Sequence, residues 1–398
     1  MSNQLTAIDL FAGAGGFSLA AHQQDFDILA AVEFDKQASE TYHYNLVERL
    51  GAQTQVFQQD INKVDIQNLM KFQGIKQGEL DLLLGGPPCQ GYSAHRINNA
   101  GIEDPRNQLL IRYFDFVSAL RPKVFLVENV PGLLWKKHEL FLNKFLGLAN
   151  SYNYKVIGDA PLIINSRDFG VPQNRKRAFI LAVREDLHLS DLSWPPQATH
   201  FAPSSDKMPW KTASSVFEKP PVKVLQELVK RIQETTNLDL VSAKSLVDEL
   251  EFGSPLLESD PCNFHMNHTD ALTQRFIETP LNGSREDIAF RLKCHSEGYK
   301  GHKDVYGRIF FNTPSNTITT GCNNPSKGRF VHPWLNHGIT LRHAARLQSF
   351  PDDYIFKGTT TEQARQVGNA VPIGLGTALI ETIKHSILIK NLSVSDVA

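Results

Sequence analysis

The run Gly85-Gly86-Pro87-Pro88-Cys89-Gln90-Gly91-Tyr92-Ser93 sets a cysteine on a stiff turn directly behind the apolar stretch Leu82-Leu83-Leu84. Two prolines fix φ and remove two backbone donors, while the flanking glycines let the main chain pass close to a ligand, so the turn can present a thiol in one direction. As a thiolate, Cys89 suits attack on an electron-poor ring carbon. A small buried hydrophobe near a strand end is the other reading of the same cysteine. A second apolar stretch, Val124-Phe125-Leu126-Val127, runs into Glu128-Asn129-Val130. The carboxyl ends of strands in an open α/β sheet converge on one crevice, so Cys89 and Glu128 are expected to face one substrate.

Those strand ends require a sheet to position them. Residues 5 to 185 alternate β-rich runs with helix-like stretches: Ala7-Ile8-Asp9-Leu10-Phe11, Ile28 to Val32, Leu82 to Leu84, Val124 to Val127 and Ala178 to Val183. This alternation predicts an α/β fold built on a doubly wound, mostly parallel sheet. Around Trp194-Pro195-Pro196 the texture changes, which places a catalytic and cofactor-binding domain at 1–190 and a smaller, loop-rich domain at 191–335. The stretches from Thr340 to Gln348 and from Gly374 to Ile389 look helical, and residues 336–398 are expected to pack back on the first domain.

A cofactor end is legible after the first strand. Asp9-Leu10-Phe11-Ala12-Gly13-Ala14-Gly15-Gly16-Phe17-Ser18 supplies small residues where a backbone could meet a nucleoside, and Glu33 follows the second strand, eighteen positions beyond Gly15. An acid at about that spacing can accept both ribose hydroxyls. The third glycine of the dinucleotide fingerprint is absent, so no pyrophosphate site is implied. Asp60-Ile61 follows a third short strand at Val56-Phe57, where the carboxylate could accept an amino hydrogen from adenine. Singly, Glu33 and Asp60 read equally as solvated carboxylates or helix caps. Jointly they favour an adenosine-bearing cofactor without phosphates, of which S-adenosyl-L-methionine is one.

Composition narrows the class. At 398 residues, 41% hydrophobic and 21% charged, the chain can bury a sizeable core. No apolar run approaches the ~18 residues of a membrane span and the first residues lack a secretory pattern, so a cytoplasmic protein with no membrane partner is expected. Cys89, Cys262, Cys294 and Cys322 are scattered, which argues against disulfides and a zinc ribbon. Cys262, His265, His268, Cys294 and His295 match no finger spacing, and no metal is expected. The net charge of −1 conceals opposite local signs: residues 223–260 carry four Lys or Arg against eight Asp or Glu, and 271–330 carry nine against five. That asymmetry permits a basic face of the kind a phosphate backbone needs, or a patchy surface without such meaning.

Taken together, the ordered motifs make the chain closely resemble the cytosine-C5 DNA methyltransferases across nearly all of its length outside about 190 to 260. They are Asp9 to Gly16, Glu33, Asp60, Gly86-Pro87-Pro88-Cys89-Gln90, Glu128-Asn129-Val130, Gln173-Asn174-Arg175-Lys176-Arg177 and Gln366-Val367-Gly368-Asn369-Ala370-Val371-Pro372. The resemblance implies a class I methyltransferase-like sheet and transfer of a methyl group from S-adenosyl-L-methionine to C5 of a cytosine flipped out of double-stranded DNA. It also implies a place in a restriction-modification system.

In this reading Cys89 adds to C6, Glu128 hydrogen-bonds N3 and the exocyclic amine, Asn129 orients the cysteine loop, and Arg177 and Arg175 bind the O2 edge and neighbouring groups. By the same analogy Phe11 stacks on adenine, Glu33 holds the ribose and Asp60 with Ile61 reads the adenine edge. Gly13, Gly15, Pro87, Leu109, Asn369 and Ala370 complete the cofactor wall. A monomer without an obligate protein partner is expected. Two positions depart from the family: His343 stands where Glu often follows the arginine, and His337 where Arg is frequent. Target reading is expected in the variable insert, with Asn323, Asn324, Lys327 and Arg329 as candidates. One eukaryotic-type branch methylates a tRNA cytosine instead. Its shorter insert makes DNA the favoured substrate here.

Overall fold

Among the described residues eight strands form one sheet: β1 Leu5–Leu10, β2 Phe26–Glu33, β3 Gln55–Gln58, β4 Leu82–Gly85, β5 Val124–Asn129, β6 Tyr154–Val156, β7 Leu162–Asn165 and β8 Lys176–Arg184. Their order is β3-β2-β1-β4-β5-β8-β6, with β7 also pairing with β8. The computed structural model describes residues 4–88, 108–158, 160–189, 192–203, 206–288, 304–389 and 391. Strands β1 to β5 pair in parallel, and β8 runs antiparallel to β5, β6 and β7. The predicted strands are all present, and the antiparallel end is what makes the sheet mixed.

Burial explains why these strands are readable. Every residue of β4 and β5 is buried, and a strand covered on both faces reads as an unbroken apolar run rather than an alternating one. Helices α1 Gly16–His22, α2 Lys36–Tyr42, α3 Ile66–Gln73, α4 Gln108–Leu120 and α5 Glu139–Ser151 fill the connections. One core patch is aromatic: the Phe125 ring lies edge-on to Tyr113, Phe114 and Phe145 at centroid distances of 6.1 to 6.3 Å. Both buried tyrosine hydroxyls find carbonyls, Tyr113 donating to Leu83 (3.0 Å) and Tyr154 to Pro122 (2.6 Å), as burial of a phenol requires.

The chain divides into two compact units, Met1–Asn165 with Lys176–Ala198 and Ile373–Ala398, and Ser166–Arg175 with Thr199–Pro372. The sheet belongs to the first, as does α11, Ile373–Ile383, which packs on α1. The second holds α6 Val222–Thr235, α7 Leu240–Asp248, α8 Asp270–Glu278, α9 Leu341–Leu347 and α10 Thr360–Asn369. These units run differently along the chain from the expected segments 1–190, 191–335 and 336–398: α9, α10 and residues 166–175 cluster with the loop-rich unit. Hydrogen bonding is the reason, since Gln173 Nε2 donates to Leu347 O (3.0 Å) and Gln348 Oε1 (2.8 Å) within that unit.

The loop-rich unit has only isolated bridges among its described residues, such as Gln173 with Ser315 and Arg308 with Val331. Buried carbonyls still need donors, and arginines supply them. Arg308 donates to the carbonyls of Phe276, Thr279, His332 and Leu335. Arg329 donates to those of Asn282, Gly283 and Arg308. Arg342, fully buried, pairs bidentately with Asp260 at 2.6 and 3.0 Å. No helix among the described residues is long and apolar enough to cross a membrane.

Two glycines make opposite predictions. A Cβ on Gly368 would lie 2.3 Å from the backbone of Thr319 and Thr320, whereas one on Gly147, exposed in α5, meets nothing within 4 Å. Gly368→Ala is expected to destabilise by about 1–3 kcal/mol through overpacking. Gly147→Ala is expected to stabilise by about 0.5–1 kcal/mol through the unfolded chain. Denaturant unfolding of both variants checks the pair, and equal shifts would contradict it.

Candidate active site

The strand order reverses between β1 and β4, and an open α/β sheet forms its crevice at such a switch point. Register brings the loops together there. Leu10 of β1 lies beside Gly85 of β4, and Gly85 lies beside Val127 of β5. The loop after β1, the Gly86-Pro87-Pro88 turn and Glu128 therefore leave the sheet side by side. Gly85 has no alternative, because an added Cβ would fall 2.5 Å from the Tyr113 ring.

Glu128 faces Arg177. In the antiparallel β5–β8 pair Glu128 is opposite Phe179, so Arg177 is its diagonal neighbour on the same face while Lys176 points away. Arg177 Nε donates to Glu128 Oε1 at 2.8 Å, with both side chains largely buried. A Cβ on Gly86 would come within 3.5 Å of Glu128 Oε2, so the turn passes close to this carboxylate. Asn129 ties down the same turn: its Nδ2 donates to Pro87 O at 3.4 Å, and its Oδ1 accepts from Val130 N at 3.0 Å. Pro87 is buried. Cys89 lies outside the described residues, so the chain is followed to within one residue of it.

Six expected cofactor residues, Phe11, Gly13, Gly15, Glu33, Asp60 and Ile61, follow or end β1, β2 and β3, whereas Pro87 follows β4 and Leu109 lies in α4. Phe11 has a φ of 59°, a left-handed conformation rare for an aromatic residue, followed by Gly13 at 56° and Gly15 at 87°. Glu33 accepts from Gly13 N (2.8 Å) and Asp35 N (2.7 Å). Burial raises its pKa, and these two N–H donors act against that shift. Asp60 caps the short turn that begins at Ile61, accepting from Asn62 N at 3.0 Å. Phe11 and Leu109 pack, half-buried, against the main core.

Arg112 was not singled out by its sequence position, yet it holds the Asp60-Ile61 turn. Its Nε donates to Ile61 O (3.1 Å) and one terminal nitrogen to Val64 O (2.8 Å). Asp9 opens the glycine-rich motif. It is 1% exposed and accepts from Ser18 Oγ at 2.7 Å, and burial pushes its pKa up to about 7, with the nearby Glu33 charge adding to the rise.

Three expected site residues belong to the loop-rich unit. Arg175 is 1% exposed, and its terminal nitrogens donate to Ile318 O (2.8 Å), Gly368 O (2.8 Å) and Ala370 O (3.0 Å). The guanidinium thus serves carbonyls of its own unit, which gives Arg175 a positioning role there. Asn369 is exposed at the end of α10, and Ala370 is buried just beyond it. Of the residues proposed to read bases, Arg329 is 6% exposed and stacked on Phe310 at 4.0 Å, so it is not available. Asn324 caps a turn through Ser326 N at 2.9 Å.

Burial raises the thiol pKa of Cys262 and pushes that of Cys322 up to about 12, which disfavours the nucleophilic thiolate at both, and Cys294 lies outside the described residues. Glu218, His332 and His343 bring ligand-type atoms within 4.8 Å of one another. However, His332 Nδ1 accepts from Leu335 N (3.1 Å) and Trp334 N (3.4 Å), which leaves the ring proton on Nε2 and no free lone pair on the ring. These rings pack as core, with His343 4.3 Å from the Phe217 centroid.

Residues 5–385 match the family described as C-5 cytosine-specific DNA methylase. Among curated proteins, Type II methyltransferase M.DdeI of Desulfomicrobium norvegicum is 29% identical, covering 95% of this chain and 88% of the relative. Type II methyltransferase M.XorII of Xanthomonas oryzae pv. oryzae is 30% identical, covering 94% and 82%. A solved structure described as a DNA modification methyltransferase encoded within an E. coli prophage superposes with a TM-score of 0.65 at 23% identity, covering 98% and 99%. A Spodoptera frugiperda DNMT2 mutant superposes at 0.53 and 17%, covering 96% and 100%. At such identities the two structures establish a common fold.

Two measurements test the electrostatics. Between the ordinary 3.8 and about 7 the folded chain keeps a proton on Asp9 that the unfolded chain releases. Stability must therefore fall as pH rises through that window. Asp9→Asn, which keeps an acceptor for Ser18, is expected to gain on wild type from pH 5 to pH 8 by more than about 1 kcal/mol. A constant difference in melting would contradict this. Arg175→Met should cost about 2–5 kcal/mol in denaturant unfolding by stripping three carbonyls of their donor, and a loss below about 1 kcal/mol would contradict the positioning role.

Proposed function

The chain belongs to the C-5 cytosine-specific DNA methylase family, and on that premise we propose that it moves a methyl group from S-adenosyl-L-methionine to C5 of a cytosine turned out of double-stranded DNA, through a covalent bond between Cys89 and C6. The observation that carries this reading is the buried Glu128–Arg177 pair at 2.8 Å, set against the turn that leads to Cys89. A paired carboxylate and guanidinium, with a cysteine following the adjacent turn in sequence, match the polar edge and the electrophilic carbon of a cytosine ring.

The steps follow from those groups. A stacked base is unreachable, so the cytosine must leave the helix. The Cys89 thiolate adds to C6, the C5=C6 double bond opens and its electron pair becomes available at C5. Glu128, hydrogen-bonded to N3 and the exocyclic amine, favours the protonated ring that accepts the thiolate. Arg177, already paired with Glu128, fixes that carboxylate and offers N–H donors to O2, where negative charge develops. Asn129, through Pro87, holds the direction of the turn. Loss of the C5 proton with cleavage of the C6–sulfur bond restores the aromatic ring and frees Cys89.

The first unit fits a nucleoside-bearing cofactor. Glu33 is held at the end of β2 by two N–H donors, Phe11 stands in a left-handed conformation, and the position above Gly13 is open, with nothing within 4 Å of an added Cβ. Phe11 would stack on adenine, Glu33 would take the ribose hydroxyls, and Asp60 with Ile61 the adenine edge. Gly13, Gly15, Pro87 and Leu109 would complete the wall. When bound, S-adenosyl-L-methionine supplies an electrophilic methyl group on a sulfonium centre for the activated C5. Relatives named as Type II methyltransferases support a protective role in restriction-modification, and the reading is of a cytoplasmic monomer acting on duplex DNA.

Duplexes carrying 5-fluorocytosine test the covalent step, because fluorine at C5 cannot leave as a proton does. The sites are those that bisulfite sequencing reveals in DNA from expressing cells. A denaturation-resistant adduct is expected, mapping to Cys89 by peptide mass. Cys89→Ser should form none and lose more than about 99% of methyl transfer while still binding cofactor. An active Cys89→Ser variant overturns the mechanism.

A further inference from the structure

Five histidines of the loop-rich unit stand ring to ring around the turn from His332 to Gly338. His265 stacks on His337 with centroids 3.9 Å apart, His268 lies 6.2 Å from His265, and His332 lies 5.3 Å from both His337 and His343. The mechanism above uses none of them. Two of the rings close the turn by accepting backbone N–H groups. His332 Nδ1 accepts from Leu335 N (3.1 Å) and Trp334 N (3.4 Å), and His268 Nε2 accepts from Gly338 N (3.0 Å). A third ring, His337, donates from Nδ1 to Gly338 O at 2.7 Å. The backbone bond of the turn itself, from His332 N to His337 O at 2.8 Å, lies inside this frame.

Only a neutral imidazole can accept in this way. It carries one donor and one acceptor, whereas the protonated ring donates from both nitrogens. A proton added to His332 or His268 goes to the very nitrogen that accepts, and sets donor against donor. Among the described residues little is at hand to compensate. Arg308, of the wrong sign, faces His332, and the groups facing His268 and His337 are other histidines. Glu218, Arg346 and Asp352 face His343 alone, with Glu218 Oε2 3.8 Å from His343 Nε2. Burial holds His268, His332, His337 and His343 below the ordinary 6.5, with His337 at about 4. The open turn therefore binds protons more readily than the closed one. The contribution of the cluster is complete above 6.5 and is lost as pH falls from there toward about 4.

We propose that these histidines form a proton-operated latch: neutral, they hold the turn from His332 to Gly338 closed, and proton uptake on His268 and His332 opens it reversibly while the sheet keeps its structure. The latch goes beyond the methyl transfer proposed above and does not depend on it. It gives the loop-rich unit an acid-sensitive state of its own. Its sign is opposite to that of Asp9 in the first unit, whose proton uptake below about 7 favours the fold.

The test is hydrogen exchange of the full chain read by mass spectrometry, corrected for the intrinsic pH dependence of exchange, in peptides covering 332–338, β4 and β5. Protection of the turn is expected to fall by at least about tenfold from pH 7 to pH 5, to return on back-titration, and to hold in β4 and β5. His268→Gln and His332→Asn place an amide oxygen where the accepting nitrogen stood, without a titratable group. Each is expected to keep protection at pH 7 within about threefold of wild type and to reduce the acid fall by about threefold or more. His43→Gln, at an exposed histidine, should leave the fall unchanged. Flat protection of the turn over this range overturns the latch. So does a wild-type fall in both variants, or an equal reduction in His43→Gln. A parallel loss in β4 and β5 overturns it as well, since that marks acid unfolding of the whole chain. If His332→Asn does not fold, His268→Gln decides by the same criterion. No readout uses methyl transfer, so a chain that methylates no DNA overturns the proposed activity and leaves the latch standing.

Discussion

When β8 pairs antiparallel with β5 so that Glu128 lies opposite Phe179, every second residue of β8 shares the face of Glu128, and Arg177 becomes its partner. A slip of one residue would send Arg177 to the other face and leave the carboxylate beside Lys176. The interaction is therefore only as good as the register, and the register is held by the apolar sequence of β8, whose residues from Ala178 to Val183 are all buried. With charges this sheltered, removing one partner costs more than the pair contributes, because the other charge is stranded. The parallel ladders on the far side of β5 then bring the proline turn and the glycine-rich loop to the same edge.

Much of this was legible in the sequence because it depends on local patterns. Unbroken apolar runs marked the central strands, and the residues after them were expected at the crevice for a topological reason that needs no coordinates. The order of the motifs carried the family. Arg175 and Arg177 show the limit of such reading. They look alike in a five-residue stretch with three basic residues, yet one ends a segment woven into the loop-rich unit while the other lies in a strand, and only strand pairing separates their roles. Arg112 and Asp9 were missed for a related reason: each acts on residues far along the chain or is defined by burial. The Trp210–Arg167 stack joins positions 43 apart, and no period in the sequence links them.

The loop-rich unit is stabilised in another way from the sheet. Where strands exchange N–H and C=O groups along a ladder, irregular segments have no such reciprocity, and their buried carbonyls must be served individually. Arg175, Arg308 and Arg329 each reach three or more of them. A guanidinium suits this task because its five donors lie in one plane and spread over several chain segments. The fold of this region was unreadable from hydrophobic periodicity for that reason: its organising residues are charged.

Those inward-facing arginines change what the local charge of the insert means. Across 271–330 the described basic residues are Arg275, Arg285, Arg308, Lys327 and Arg329, and all except Lys327 are buried. Guanidinium groups buried within the fold release no counterions from a polyanion. The slope of DNA affinity against the logarithm of salt concentration, which counts neutralised phosphates, will therefore be shallower than the cationic composition of this segment implies. Association would then lean on shape and base contacts more than on long-range attraction.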